Sequence, residues 1–225
     1  NIFAGMNLNT VIFDMDGLLI DSEPLWGQAA EELFSAYDIH LTPQQYGKTT
    51  GLRTREFLKF WFHHFHISPA NLPDAESQIV HRVVELVTQH GKPMPGVRYI
   101  FDFFKERNFN IGLATSSGHL LIEVVVDILG IRKDLQAVSS ANDLGYGKPH
   151  PEVYLNCAGK LSVHPRQCLC FEDSFNGMIA VKAAHMKCVV IPEKTARSRT
   201  HWDAADLKLD SLAAFDDSML EKIGR

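Results

Sequence analysis

The run Thr10-Val11-Ile12-Phe13-Asp14-Met15-Asp16-Gly17 constrains the fold more than any other stretch of the chain. Val11, Ile12 and Phe13 form a short continuous apolar run, the pattern of a strand buried on both faces. Asp14 and Asp16 follow at once, with Gly17 close behind. Carboxylates directly after a buried strand stand at its carboxyl end, where open α/β sheets bind ligands. Two anions there cost energy unless a cation or phosphate chemistry compensates. A single Asp would read as an Asx-type turn closing a strand. The Asp-x-Asp-Gly pattern points to a site instead.

The rest of the chain divides by periodicity. Asp21-Ser22-Glu23-Pro24 punctuates the sequence, with Ser22 as an expected N-cap and Pro24 in a first helical turn. Leu25, Ala29, Ala30, Leu33 and Phe34 then recur at helical spacing. Residues 22–92 contain no convincing strand and read as helices over about 23–37, 53–66 and 74–90. Gly91-Lys92-Pro93-Met94-Pro95-Gly96 reads as a linker. Beyond it helix and strand alternate. Val97, Ile100, Phe101 and Phe104 mark a helix, and residues 110–114 a strand. Residues 120–129 read as a helix stopped by Gly130, and 137–139 as a weak strand. Residues 151–161 are helical, 168–171 a strand and 176–184 a helix. Residues 187–191 form a strand, 207–209 an edge strand and 211–220 a closing helix. Such alternation implies a parallel sheet with helices on both faces. The expected fold is α/β: a doubly wound parallel core formed by residues 6–21 and 93–225, interrupted by an all-helical insert at 22–92.

Composition sets the class. With 225 residues, 45% hydrophobic and 22% charged, the chain suits one soluble globular domain with an insert. A net charge of −5 gives no basic footprint for nucleic acid. No apolar run reaches membrane-span length. Residues 1–9 lack the basic start and apolar core of a secretory signal, so a cytoplasmic location is expected. Met6 reads as the native start. The four cysteines, Cys157, Cys168, Cys170 and Cys188, lack zinc spacing and read as buried free thiols.

The residues after each core strand converge in chemistry. Asp14 and Asp16 follow the first strand, and Thr115, Ser116 and Ser117 the second. Gly147-Lys148-Pro149 follows the weak strand, and Glu172-Asp173-Ser174 the next. In a parallel sheet these ends share one edge. Four carboxylates cannot all ionise together without positive charge nearby, and Mg²⁺ commonly pairs one or two carboxylates with substrate phosphate. Lys148 adds a second positive charge, and Thr115 offers a hydroxyl to a phosphate oxygen. Cation, lysine and hydroxyl around a carboxylate suit phosphoryl transfer, where catalysis is mainly positioning and charge stabilisation.

Four segments resemble the motifs of the haloacid dehalogenase superfamily of phosphohydrolases, over nearly the whole chain. They are Phe13-Asp14-Met15-Asp16-Gly17, Leu113-Ala114-Thr115-Ser116, Gly147-Lys148-Pro149-His150-Pro151 and Phe171-Glu172-Asp173-Ser174. The resemblance implies a helical cap between the first two motifs. It implies Asp14 as nucleophile, Asp16 as general acid and base, and Thr115, Ser116 and Lys148 as phosphate-binding groups. It further implies Mg²⁺ held by Asp14, the Asp16 carbonyl and Asp173, with Glu172 assisting directly or through water. Asp21-Ser22-Glu23-Pro24-Leu25-Trp26 looks most like bacterial sugar-phosphate phosphatases acting on 2-deoxyglucose 6-phosphate or hexitol phosphates. The related β-phosphoglucomutases carry His where this chain has Trp26, and a cap Lys where the register gives Val83.

The expected activity is therefore Mg²⁺-dependent hydrolysis of a small phosphorylated metabolite, with a phosphomutase as the enzyme alternative. A phosphoacceptor signalling domain is the non-enzyme alternative. Such domains resemble a shorter chain with its acidic pair first and Lys last, whereas here Glu172-Asp173 follows Lys148. Arg53 and Arg55 either meet a phosphosugar or decorate an exposed helix start. Trp26 either lines the cleft or packs the first cap helix. His63, His64 and His66 read as a solvated or packed face, and Lys194, Arg197 and Arg199 as a solvated loop. Oligomeric state has no signature in the sequence.

Overall fold

The computed structural model describes residues 8–224. The expected start at Met6, and with it the beginning of the core segment at residue 6, lies outside them. Six parallel strands form one sheet: β1 (Thr10–Phe13), β2 (Asn110–Thr115), β3 (Ala137–Ser140), β4 (Cys168–Glu172), β5 (Lys187–Val190) and β6 (Leu207–Lys208). Their order is β3-β2-β1-β4-β5-β6, so β1 is central. Phe13 stands level with Leu113 on one side and Phe171 on the other. The strand order reverses between β1 and β4, which is where doubly wound sheets open a ligand crevice.

Every residue of β1 and β4 is buried, as the continuous apolar runs demand of a sheet covered on both faces. Alternation sends Val11, Phe13, Leu113, Leu169 and Phe171 to one core with α5 (Val97–Glu106) and α6 (His119–Leu129). It sends Ile12, Ala114, Cys168, Cys170 and Cys188 to the other, under α7 (Glu152–Lys160) and α8 (Phe175–Ala183). All four cysteines are free and buried, as expected. Burial pushes the Cys157 and Cys168 thiols up to about 12, so they pack as small hydrophobes rather than act as nucleophiles.

The segment between β1 and β2 carries α1 (Glu23–Ser35), α2 (Pro43–Tyr46), α3 (Thr54–His64) and α4 (Leu72–His90) ahead of α5. The short α2 was not expected. A capping box between Thr42 and Gln45, with Pro43 in the first turn, fixes it. The insert's entry and exit are laced together: Asp21 N–H donates to Lys92 O at 2.9 Å and Met94 N–H to Leu19 O at 2.9 Å. His63, His64 and His66 are exposed, in keeping with a solvated face. Arg197 bonds Asp210 and the Pro192 carbonyl, while Lys194 and Arg199 are exposed.

Two expectations need correction. The closing helix is not continuous over 211–220. A 3₁₀ turn at Leu212–Ala214 is followed by α9 (Asp217–Gly224), because Phe215 drops into the core in an extended conformation. Asp216 then restarts the helix by accepting the Met219 N–H at 3.0 Å. Ser22 precedes α1 but makes no side-chain capping bond. Its hydroxyl donates to Asp16 instead, at 2.7 Å.

Rings lock the floor beneath the strand ends. Phe13 lies 5.0 Å from Phe101 and 5.3 Å from Phe171, and Phe171 lies 5.1 Å from Phe215. Phe104 meets Phe13, Phe171 and Phe215 within 6.1 Å. The residues immediately before Asp14 and Glu172 are thus fixed by aromatic packing. Phe104→Ala, a cavity one layer below the carboxylates, should cost about 3–5 kcal/mol in urea unfolding. A loss below about 1 kcal/mol would show that the cluster is not the keystone of this face.

Candidate active site

Ending three strands at one level brings their following side chains together. Asp14 N–H bonds the Phe171 carbonyl at 3.0 Å, which sets its side chain beside the end of β4. Lys148 arrives from the loop after β3 and is 2% exposed. Its Nζ donates to Asp14 Oδ1 at 2.5 Å, to Glu172 Oε1 at 2.6 Å and to the Ala114 carbonyl at 3.3 Å. One ammonium therefore ties the ends of β1, β2 and β4.

Glu172 is fully buried, and donors surround it. Oε1 accepts from Lys148 and from the Tyr154 hydroxyl at 2.5 Å. Oε2 accepts from Asp173 N, Ser174 N and Ser174 Oγ at 3.0–3.2 Å. Gly177 permits this arrangement, since a Cβ there would fall 1.8 Å from Glu172 Oε1. Gly17, at φ +74°, does the same for Asp173, whose Oδ2 lies 2.1 Å from where its Cβ would be.

Asp16 stands apart from this cluster. It accepts from Ser22 Oγ at 2.7 Å, Trp26 Nε1 at 3.0 Å and Ser117 Oγ at 2.7 Å. Trp26 therefore lines the cleft. Thr115 lines it too, its oxygen accepting the Ser117 N–H at 3.0 Å, which leaves its own O–H free to donate. Ser116 is at the cleft, but its hydroxyl donates to the Gly51 carbonyl of the helical insert at 2.7 Å. Arg53, a candidate either for the substrate or for an exposed helix start, takes neither place in this structure. Its guanidinium donates to the Ala141 and Leu144 carbonyls and pairs with Glu56. Those partners satisfy it at the contact between insert and core, outside the cleft lining. Arg55 pairs with Glu76 on the surface.

The cleft lies between the strand ends and the insert. Its charge is unbalanced. Asp14, Asp16, Glu23 and Asp173 line it against a single lysine, Lys148, with Glu172 directly behind. Burial works against the charge on Lys148, but Asp14 and Glu172 outweigh it and raise its pKa. Burial raises Asp14, Lys148 pulls it down, and Glu172 pushes it up again. Asp173 is raised by burial and then by Asp14 and Glu172. Burial, then Asp16 and Asp14, push Glu23 up to about 8.

Asp14, Glu172 and Asp173 offer carboxylate oxygens within 4.8 Å of one another. This donor set fits a hard divalent cation, which takes oxygen ligands and would relieve the excess negative charge. Glu172 has both oxygens engaged by protein donors, so Asp14 and Asp173 are the carboxylates with ligand capacity to offer.

Known proteins bear on this geometry. Residues 8–185 match the family model described as haloacid dehalogenase-like hydrolase. The chain belongs to the haloacid dehalogenase-like hydrolases. Hexitol phosphatase B of Escherichia coli is 38% identical over 202 residues, 89% of this chain and 91% of that one. A fructose-1-phosphate phosphatase of the same organism is 29% identical over 184 residues, 80% and 94% of the two chains. The crystal structure of a β-phosphoglucomutase from Clostridium difficile superposes with a TM-score of 0.84 at 23% identity, covering 96% and 97%. This hydrolase is a phosphatase of phosphoric monoesters, with the fold class expected for its family. No helix among the described residues is long and apolar enough to cross a membrane.

Sequence reasoning missed several groups of this haloacid dehalogenase-like site. Tyr154 lies on a helix face that reads as core packing, and only the buried Glu172 opposite gives its hydroxyl a purpose. Glu23 and Tyr46 line the cleft from the insert, where helical periodicity carries no information on what faces the core domain. Ser117 is one of three hydroxyl residues after β2, and only its bond to Asp16 gives it a role. Tyr154→Phe removes one donor from a buried carboxylate and should cost about 1.5–3 kcal/mol in urea unfolding. Unchanged stability would mean that Glu172 does not depend on that hydroxyl.

Proposed function

We propose that this hydrolase is a Mg²⁺-dependent phosphatase of small phosphorylated metabolites, sugar or polyol phosphates, working through an aspartyl-phosphate on Asp14. The observation that carries the reading is Lys148 Nζ bridging Asp14 and Glu172 at the floor of the cleft, with Asp173 alongside. The named activities of the relatives with hexitol and fructose phosphates support the substrate class.

Asp14 is the nucleophile. Its Oδ1 is engaged by Lys148, which leaves Oδ2 to attack phosphorus. A nucleophilic carboxylate must be ionised, and Lys148 and a bound cation both favour that form against burial. Mg²⁺ would be held by Asp14, the Asp16 carbonyl and Asp173, and would supply neutralisation of the phosphoryl oxygens. Glu172 acts behind Lys148, fixing the ammonium that meets the transferring group. Thr115 offers its free O–H to a phosphoryl oxygen. Asp16 protonates the leaving alkoxide and then takes a proton from the water that hydrolyses the acyl phosphate. Ser22, Trp26 and Ser117 hold its carboxylate.

Residues 22–92 are proposed as a cap unit on a core of 6–21 and 93–225, with its hinges near Asp21–Glu23 and Lys92–Gly96, beside the laced crossings. Closure over the substrate would exclude bulk water. The phosphomutase alternative needs a grip on a second phosphate, and Arg53 is committed to the core loop at 141–145. The signalling alternative lacks support, since the insert covers the strand ends that a partner would have to reach.

Asp14→Asn should lower phosphate release by at least about a thousandfold while the protein keeps its far-ultraviolet spectrum and melting temperature. Release near the wild-type rate by the folded variant sinks the mechanism. In the same assay with β-glucose 1-phosphate, glucose 6-phosphate outpacing free phosphate would select the mutase. Asp173→Asn should shift Mg²⁺ activation to concentrations on the order of tenfold or more higher. An unchanged Mg²⁺ titration removes Asp173 from the ligand set.

A further inference from the structure

Among the described residues, the side of the cleft formed by the insert holds a carboxylate, hydroxyls and apolar groups, and no cation. Glu23, Tyr46 and Thr54 line it beside Ala30, Phe57 and Ile79. Among the described residues lining the cleft, Lys148 is the only Lys or Arg, and two carboxylates bracket it. Arg53 and Arg55 on that side are engaged by core carbonyls, Glu56 and Glu76, and Lys48, between Tyr46 and Thr49, is exposed and lies outside the cleft lining.

Glu23 is half-buried at the first turn of α1. Its neighbour Asp16 has three protein donors, whereas no described residue donates to the Glu23 carboxylate. Tyr46 is near enough that the Glu23, Asp16 and Asp173 carboxylates add to the effect of burial on its phenol. A carboxylate and a phenol lining one cleft are chemistry for alcohols: sugar hydroxyls donate to the first, and the second both donates and accepts. In either protonation state Glu23 offers an acceptor oxygen, and in neither does it offer positive charge. A second phosphate or a carboxylate on the leaving group would lose hydration here and find no counter-ion.

We propose that Glu23, aided by the Tyr46 hydroxyl, selects the leaving group: it accepts hydroxyls of a neutral polyol or sugar, and this side of the cleft rejects substrates carrying a second anion. This rests on the phosphatase reading of the same cleft. Three probes test it on the full chain with Mg²⁺. They are glucitol 6-phosphate, 6-phosphogluconate (the same carbon chain with a carboxylate for the terminal hydroxymethyl) and p-nitrophenyl phosphate, which has no hydroxyls. Wild-type kcat/KM should favour the glucitol ester over phosphogluconate by on the order of a hundredfold. Glu23→Gln should lower kcat/KM for the glucitol ester, relative to the aryl ester, by on the order of tenfold or more, with the Mg²⁺ half-saturation unmoved. Tyr46→Phe should shift the same ratio roughly threefold to tenfold.

An equal loss on both esters, or a shifted Mg²⁺ half-saturation in Glu23→Gln, assigns Glu23 to the metal surroundings and overturns the proposal. Equal or better turnover of phosphogluconate by the wild type overturns the rejection of a second anion. Aryl phosphate hydrolysis with no preference between the polyol ester and its acid leaves the phosphatase reading standing and removes this one. Absence of phosphate release from all three probes removes both.

Discussion

The Lys148 ammonium, held between Asp14 and Glu172, is the interaction on which the rest of the structure depends. A buried cation with two buried carboxylates is tolerable only with close geometry and complete hydrogen bonding. Tyr154, Ser174 and the backbone of Asp173 and Ser174 supply that completion around Glu172. The sheet order supplies the geometry, because only a central β1 flanked by β2 and β4 puts Asp14, the Ala114 carbonyl and Glu172 within reach of one side chain. The aromatic floor of Phe13, Phe104, Phe171 and Phe215 keeps those strand ends from sliding. Even so, the negative groups outnumber the positive one, and the residual imbalance suits the site to a cation.

The insert is joined to this centre by few but directed bonds. Ser116 donates to the Gly51 carbonyl, Asn176 to the Thr50 carbonyl at 2.9 Å, and Arg53 to carbonyls of 141–145. Gly51, at φ +83°, lets the 50–51 turn approach, since a Cβ there would sit 2.5 Å from Ser174 Oγ. The loops that carry the chemistry therefore also seat the insert. A residue such as Ser116 can stand in a phosphate-binding motif and still have its hydroxyl engaged by the opposite wall.

What was legible in the sequence follows from what burial and periodicity encode. Buried strands write themselves as apolar runs, so β1, β2, β4 and β5, with the weaker β3, and the polar residues after them could be read, and with them the convergence of Asp14, Thr115, Lys148, Glu172 and Asp173. The helices could be read from their spacing. The direction of individual side chains across an interface could not. Arg53 sits at a helix start that could face substrate or core, and only the nearby carbonyls decide. Ser22 has the sequence of a cap, yet a carboxylate six residues earlier competes for its hydroxyl. Glu23 and Tyr46 belong to elements whose packing against the core has no local pattern. The break in the closing helix has no local signal, because the pull of Phe215 toward the core outweighs helical continuity.

The laced crossings at 19–21 and 92–94 have a consequence for how such a chain can change over time. Entry and exit leave the sheet about one strand spacing apart, roughly 5 Å, and the 70-odd residues between them contribute no strand to it. The ring of strands, lysine and carboxylates closes without them. A different excursion, longer, shorter or differently folded, can be grafted beyond the first helical turns that bring Ser22 and Trp26 to Asp16 while the reactive floor stays as it is. Chemistry and selectivity are thus physically separable units of inheritance in one uninterrupted polypeptide.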